Sequence, residues 1–152
     1  MHRNLIVIAL LQSVPIFAGL NEKALNVLLK HAKAKEYPEN EVIVHEGETC
    51  CILFVIASGS VRLFQNFGKA DQVELATLYS KDFFGESCIL DTLPRLATVQ
   101  AASPTTVFNI SSRAFYRLYQ NMPSQHSILL MNIARDLSRR LRVLDKTFAA
   151  RH

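Results

Sequence analysis

The sequence predicts a mainly β domain with flanking helices: an eight-stranded antiparallel jelly-roll (double-stranded β-helix), preceded by N-terminal helices and followed by one long C-terminal helix. Two observations carry this. Between Ala32 and Ile110, short segments of alternating or continuous apolar character recur at even spacing, broken by Gly, Pro, Asn and Asp, as strands of a roll or barrel do. After Ile110 the apolar period lengthens to three and four residues and stays there, which is helical.

In chain order, His2 and Arg3 followed by the apolar run Leu5 to Leu11 imitate a signal peptide, but the run is short and no A-x-A-like site follows. An amphipathic packing helix is the expectation. Asn21 is a suitable N-cap for a helix from about Glu22 to Ala32, with Ala24, Leu25, Leu28 and Leu29 on one face. From Ala32 to Tyr37 the period is two. Pro38-Glu39-Asn40 then turns the chain, and Val42 and Val44 alternate with Ile43 and His45. Cys51 to Ser58 is almost continuously apolar, as a strand buried on both faces should be. Gly59-Ser60 leads into Val61 and Leu63, Asn66 to Asp71 forms a turn, and Val73, Leu75 and Thr77 alternate with Glu74. Ala97 to Ala101 and Thr105 to Ile110 supply the last strands. Ser111 or Ser112 can cap a helix through Asn121, and Pro123 can start another that runs to about Ala149. On that last helix Leu130, Ile133, Ala134, Leu137, Leu141, Leu144 and Phe148 form an apolar stripe, with Arg135, Asp136, Arg139, Arg140 and Arg142 off it. The stripe continues beyond what a small barrel needs to cover, which predicts a homodimer through the C-terminal helix.

A chain of 152 residues, 49% hydrophobic and 20% charged, suits one globular domain with a sizeable core. Its expected parts are an N-terminal helical segment (1–32), a β-roll (33–110) and C-terminal helices (111–152). The net charge of +4 is concentrated late, since from Arg113 onward eight Lys or Arg face only Asp136 and Asp145. A solvated helix face explains this, with at most weak salt-sensitive attraction to nucleic acid. No apolar run approaches the ~18 residues of a membrane span. Three cysteines, Cys50, Cys51 and Cys88, make no disulfide framework, and the adjacent pair would form only a strained bond. A reducing, cytoplasmic setting is therefore expected. His45-Glu46-Gly47-Glu48 beside that pair could offer mixed metal ligands, but a turn between strands is the simpler home, and no metal is expected.

The stretch with chemistry is Phe84 to Val99. Gly85 allows a tight turn and close approach to a ligand, and Glu86 to Leu90 can form one helical turn whose first N–H groups are unsatisfied, an anion site. Arg95, nine residues after Glu86, is a fork of donors for two phosphate oxygens, expected at the first residue of a new strand. Taken singly, Glu86 and Arg95 also fit a surface ion pair worth about 0–1 kcal/mol. If instead they flank one pocket, the carboxylate serves another group on the same ligand, and a hydroxyl donor such as a ribose 2′-OH is economical.

The whole string, Phe84-Gly85-Glu86-Ser87-Cys88 to Arg95-Leu96-Ala97-Thr98-Val99, resembles without a gap the phosphate-binding cassette of the cyclic nucleotide-binding domain family. The likeness extends further. Gly47 and Gly59, twelve residues apart, sit at the family's other two glycine turns, and Val14 to Leu20 is similar to its opening segment. The Glu-to-Arg spacing is that of the kinase regulatory subunits, one residue shorter than in catabolite activators. The chain departs from the pattern at Cys50-Cys51, where many members carry Gly-Asp.

The resemblance implies a non-catalytic regulatory domain for signal transduction that binds a cyclic nucleotide, cyclic AMP rather than cyclic GMP. It implies that Gly85, Glu86, Ser87 and Cys88 surround ribose and phosphate, that Arg95 holds the exocyclic oxygens, and that the backbone of Leu96 and Ala97 completes the anion site. Leu63, Leu75 and Ala76 would line sugar and base. A lid from the C-terminal helix would use Asn132, Ile133, Leu137 or Ser138. Three other readings remain. A cupin-like enzyme needs clustered His and Glu, whereas His2, His31, His45, His126 and His152 are scattered without an H-x-H. A sensor domain of a catabolite activator/Fnr-type regulator would leave no residues here for a helix-turn-helix, so no sequence-specific DNA binding by this chain alone is expected. A member of the fold with an altered ligand such as haem is the third. An effector protein or a fused domain is the expected downstream partner.

Overall fold

The computed structural model describes residues 2–151; the side chains of residues 2–4 and of Cys88 lie outside the described residues, as does His152. In order, α1 (His2–Gln12), a 3-10 turn (Pro15–Phe17) and α2 (Glu22–Leu29) lead into β1 (Lys33–Tyr37), β2 (Val42–Val44), β3 (Ile52–Ser58), β4 (Ser60–Gln65), β5 (Val73–Tyr79) and β6 (Phe83–Phe84). Then come α3 (Ser87–Leu90), β7 (Thr98–Ala101), β8 (Thr105–Ser111), α4 (Ser112–Asn121) and α5 (Pro123–Ala150). The strands form two four-stranded antiparallel sheets, ordered β1-β8-β3-β6 and β2-β7-β4-β5. This is the eight-stranded antiparallel architecture with flanking helices that the spacing predicts.

The unbroken apolar run in β3 has a direct cause. Leu53 and Val55 face the helices and belong to a cluster with Phe17, Leu25, Leu28, Ile110, Leu118, Leu129 and Ile133. Phe54 and Ile56 face the other sheet and cluster with Val61, Phe84, Val99, Ala101 and Val107. A strand with a core on each side can keep no polar residue, and each fully buried Leu or Ile adds about 1.5–3 kcal/mol. The register Leu53↔Ile110 and Val55↔Phe108 holds β3 on β8. Asn21 caps α2 as the sequence indicates, its side chain accepting from Ala24 N–H at 2.9 Å. Ser111 stands at the N-cap of α4 without a side-chain cap bond.

Four elements differ from expectation. Helix α2 ends at Leu29 rather than Ala32, because Lys33–Tyr37 is drawn into extended pairing with β8. Phe83–Phe84, unmarked as a strand by its sequence, adds β6 to the edge of β3. Arg95 lies three residues ahead of β7 rather than at its start. On α5 the buried residues are Leu129 and Ile133, while Ala134 is exposed, so the inward face is rotated from the predicted stripe. Its N-terminal half packs on the opening segment, where Asn132 Nδ2 donates to the carbonyls of Ile16 (3.0 Å) and Ala18 (2.8 Å). On α1, Ile8 and Leu11 are buried and Leu5 and Ile6 exposed. Among the described residues, no helix is long and apolar enough to cross a membrane.

Candidate functional site

A cavity of about 340 Å³ opens over the inner face of the second sheet and is closed on one side by the segment 84–97. That size lies within the usual range of about 300–1,000 Å³ for small-molecule sites. Val44, Leu63, Leu75 and Val99 give it an apolar floor, Phe84 to Ser87 one wall, and Arg95 to Ala97 the other, with Arg140 and Leu144 reaching in from α5. The floor follows from cross-strand register: Val99 pairs with both Val44 and Leu63, and directly paired residues share a face.

Arg95 is the most constrained group here. Only 6% of it is exposed. Its backbone is fastened to the glycine turn before β3, with Gly47 N–H donating to Arg95 O (2.8 Å) and Arg95 N–H donating to Glu48 O (2.9 Å). Its Nη2 donates to the carbonyls of Cys50 (2.9 Å) and Ile52 (2.8 Å). The guanidinium carbon lies 5.3 Å from the centroid of Phe54, which stacks on Phe84 at 4.8 Å. Two carbonyls and a ring thus fix the plane of the fork. Its Nε is buried without a hydrogen-bond partner among the described residues, an unspent donor on a charged group.

Gly85 is required by that arrangement. It has φ +87°, and a Cβ there would stand 2.3 Å from Arg95 Nη1 and 2.6 Å from Ile52 O. Glu86 follows as N-cap of α3, its carbonyl accepting from the N–H groups of Ile89 and Leu90, and Glu86 and Ser87 both line the cavity. Guanidinium and carboxylate therefore border one cavity, and no ion pair joins them among the described salt bridges.

Of the residues singled out by sequence, Gly85, Glu86, Ser87, Arg95, Leu96, Ala97, Leu63 and Leu75 line this cavity. Ala76 does not; a register shift beside Leu63 in the β4–β5 ladder brings Leu75 inward instead. The side chain of Cys88 lies outside the described residues. The lid candidates have other places. Asn132 is bonded to the opening segment, Ile133 is fully buried, Leu137 packs on the helical core, and Ser138 borders a groove on another face of α5. The helix meets the cavity further along, at residues that sequence reasoning missed. Arg140 Nη2 donates to Phe83 O (3.1 Å), its guanidinium sits 4.5 Å from the Phe83 ring centroid, and its Nε lies 2.7 Å from Asp136 Oδ2 in an i,i+4 ion pair not aligned as a hydrogen bond. The Asp136-Arg140 spacing was visible in sequence; the helix rotation that points it at β6 was not.

His45 and Glu46 sit in the glycine turn, where Glu46 N–H donates to Thr98 Oγ1 and Glu46 Oε2 accepts from Asn66 N–H. No group of three His, Cys, Asp or Glu converges on a metal-sized site among the described residues.

Comparison with known proteins bears on this geometry. Residues 34–122 match the cyclic nucleotide-binding domain family. The chain is 30% identical over 131 residues to the cyclic AMP receptor protein of Thermus thermophilus, covering 86% of this chain and 59% of that protein. It is 31% identical over 113 residues to the cAMP-dependent protein kinase regulatory subunit of Mycosarcoma maydis, covering 71% of this chain and 21% of that one. It thus spans well under two thirds of either relative. In fold it is similar to a cyclic nucleotide-binding domain from Methylobacillus flagellatus, with TM-score 0.84 at 20% identity over 99% of this chain and 85% of the other. With a family match over more than half its length, coincident with the cavity and the Gly85, Glu86 and Arg95 constellation, the chain belongs to the cyclic nucleotide-binding domain family.

Proposed function

We propose that this domain is a non-catalytic receptor for a cyclic nucleotide, cyclic AMP in preference to cyclic GMP, and that α5 responds to the ligand. The observation that carries the reading is the Arg95 fork, held by two carbonyls at a cavity wall with its Nε unspent and Glu86 on the same cavity. Arg95 and the backbone N–H groups after Gly85 take the phosphate oxygens, with Ser87, Cys88, Leu96 and Ala97 around them. Glu86 accepts from a ribose hydroxyl. Leu63 and Leu75 meet sugar and base, while Arg140 and Leu144 stand where a base would leave the roll. Because Arg140 is bonded to Phe83 O, two residues before Gly85, a shift of the cassette pulls on α5.

Base preference rests on Leu96, at the cavity rim and 70% exposed. In family members that select cyclic GMP, the residue after the cassette arginine is often a threonine whose hydroxyl meets the guanine 2-amino group. Leucine offers no side-chain hydrogen bond. Covering that amino group without a partner costs about 1–3 kcal/mol, so cyclic AMP should bind roughly ten- to a hundredfold tighter in calorimetry. Equal affinities would overturn the Leu96 argument.

The same reading includes a homodimer through α5 and a reducing, cytoplasmic setting, with an effector protein or fused domain as the element controlled. Leu141 (59%), Leu144 (61%) and Phe148 (67%) are exposed on the distal half of the helix, a face that a second copy would cover. Since Leu144 also lines the cavity, Leu141→Glu is the cleaner substitution. It should yield monomers in light scattering with cyclic AMP affinity unchanged. A parent protein that is monomeric at high concentration would defeat the dimer.

A further inference from the structure

The segment that cradles Arg95 contains the adjacent thiols Cys50 and Cys51. From Gly47 to Ile52 the backbone makes four bonds with Arg95: Gly47 N–H to Arg95 O, Arg95 N–H to Glu48 O, and Arg95 Nη2 to the oxygens of Cys50 and Ile52. Cys50 is exposed and Cys51 half-buried, and neither is in a disulfide. The Cys50 carbonyl belongs to the one peptide unit lying between the two thiols. Across a trans peptide the Cα atoms are about 3.8 Å apart, below the roughly 4.4–6.8 Å that disulfides usually span. Joining the two sulfurs closes an eight-membered ring that contains this peptide unit and strains it, and swinging the peptide to relieve that strain takes its oxygen away from Arg95 Nη2.

We propose that Cys50 and Cys51 form a reversible thiol–disulfide site, closed by a hydroperoxide and reopened by thiols, whose closure releases Arg95 from the Cys50 carbonyl. The exposed Cys50 sulfur attacks the O–O bond of the hydroperoxide, takes the outer oxygen as a sulfenic acid and releases the other, after protonation, as an alcohol, or as water when the oxidant is hydrogen peroxide. The Cys51 thiol attacks that sulfur, the S–S bond forms, the S–O bond breaks, and the hydroxyl oxygen leaves as water. Two electrons pass from the thiols to the peroxide. The strain of the small ring makes the bond easily reduced, the property of labile rather than structural disulfides. With the Cys50 acceptor gone, and only the Ile52 carbonyl and the Phe54 ring left to hold it, the Arg95 fork is fixed less firmly in its plane and ligand affinity falls.

Only this effect on affinity rests on the cyclic nucleotide reading, so the test needs a second measure of Arg95. Trypsin supplies it, since cleavage after Arg95 requires a side chain that is now clamped and only 6% exposed. The protein is treated with hydrogen peroxide, mapped by mass spectrometry, digested briefly with trypsin and titrated with cyclic AMP. Expected are loss of two hydrogens from the peptide holding residues 50 and 51, faster cleavage after Arg95, and affinity about tenfold weaker, the scale of one hydrogen bond to a charged group. Dithiothreitol should reverse all three, and Cys51→Ser, which keeps the backbone and the exposed thiol but cannot bridge, should show none. No bridge, a bridge with unchanged cleavage after Arg95, or equal peroxide sensitivity in Cys51→Ser would each overturn the proposal. Failure of the reduced protein to bind cyclic AMP would instead sink the receptor reading, leaving mass and cleavage to judge the thiol site.

Discussion

Arg95→Ala is expected to weaken cyclic AMP binding by roughly 2–5 kcal/mol, the cost of removing one partner from a buried charge-assisted pair. The fork is buried to 6% exposure, so solvent cannot take over its role toward a phosphate. The substitution also strips the carbonyls of Cys50 and Ile52 of their shared donor, which should lower thermal stability without ligand as well. The two effects separate in Arg95→Lys, which keeps the charge but not the planar fork, and so should recover part of the affinity and little of the carbonyl bonding. Glu86→Ala should cost less than Arg95→Ala, because the group it meets is a neutral hydroxyl. If calorimetry finds Arg95→Ala binding as tightly as the parent, the anion site lies elsewhere.

Much of this was legible because the fold's demands are local. Asn21 before Glu22, the alternation in Val61 and Leu63, and Pro123 at the first turn of α5 each report one residue's immediate surroundings, and each took the expected place. The segment 51–58 could be read as a doubly buried strand because both of its faces are covered. Phe83–Phe84 was not readable as a strand, since two residues carry no period; its pairing with Val55 and Phe54 is a tertiary fact. The position of Arg95 was misjudged by three residues for a similar reason. Its backbone pairs with Gly47 and Glu48, almost fifty positions earlier, outside any ladder.

The cavity was partly legible for the same cause. Residues on the cassette could be named because the string resembles a known phosphate-binding cassette, whereas the residues of α5 could not, because a 28-residue helix offers every azimuth and only its packing on the opening segment selects one. Burial of Leu129 and Ile133 sets that azimuth and turns Arg140 and Leu144, rather than Ser138, toward the cavity. The adjacent cysteines were visible from the start, but their tie to Arg95 runs through a backbone oxygen, which no side-chain pattern reports.

Two glycine substitutions separate backbone strain from close approach. Gly47 and Gly85 have nearly the same conformation, φ +86° and +87°, but a Cβ on Gly47 would meet nothing within 4 Å, whereas on Gly85 it would meet Arg95 Nη1 at 2.3 Å and Ile52 O at 2.6 Å. Gly47→Ala should therefore cost only the strain of a left-handed alanine, about 1–2 kcal/mol. For Gly85→Ala that strain is the smaller part. The Ile52 oxygen is backbone of a central strand and has no room to withdraw, and the guanidinium, although the end of a flexible side chain, is pinned by two carbonyls. We expect a loss of roughly 3 kcal/mol or more in stability, with cyclic AMP affinity falling alongside because Arg95 must give way. Thermal melting and calorimetry on both variants decide the matter. Gly47→Ala should melt a few degrees below the parent, at about 2–4 °C per kcal/mol, and Gly85→Ala well below that. Should the two alanines behave alike in melting and binding, the contact between Gly85 and Arg95 does not shape this site.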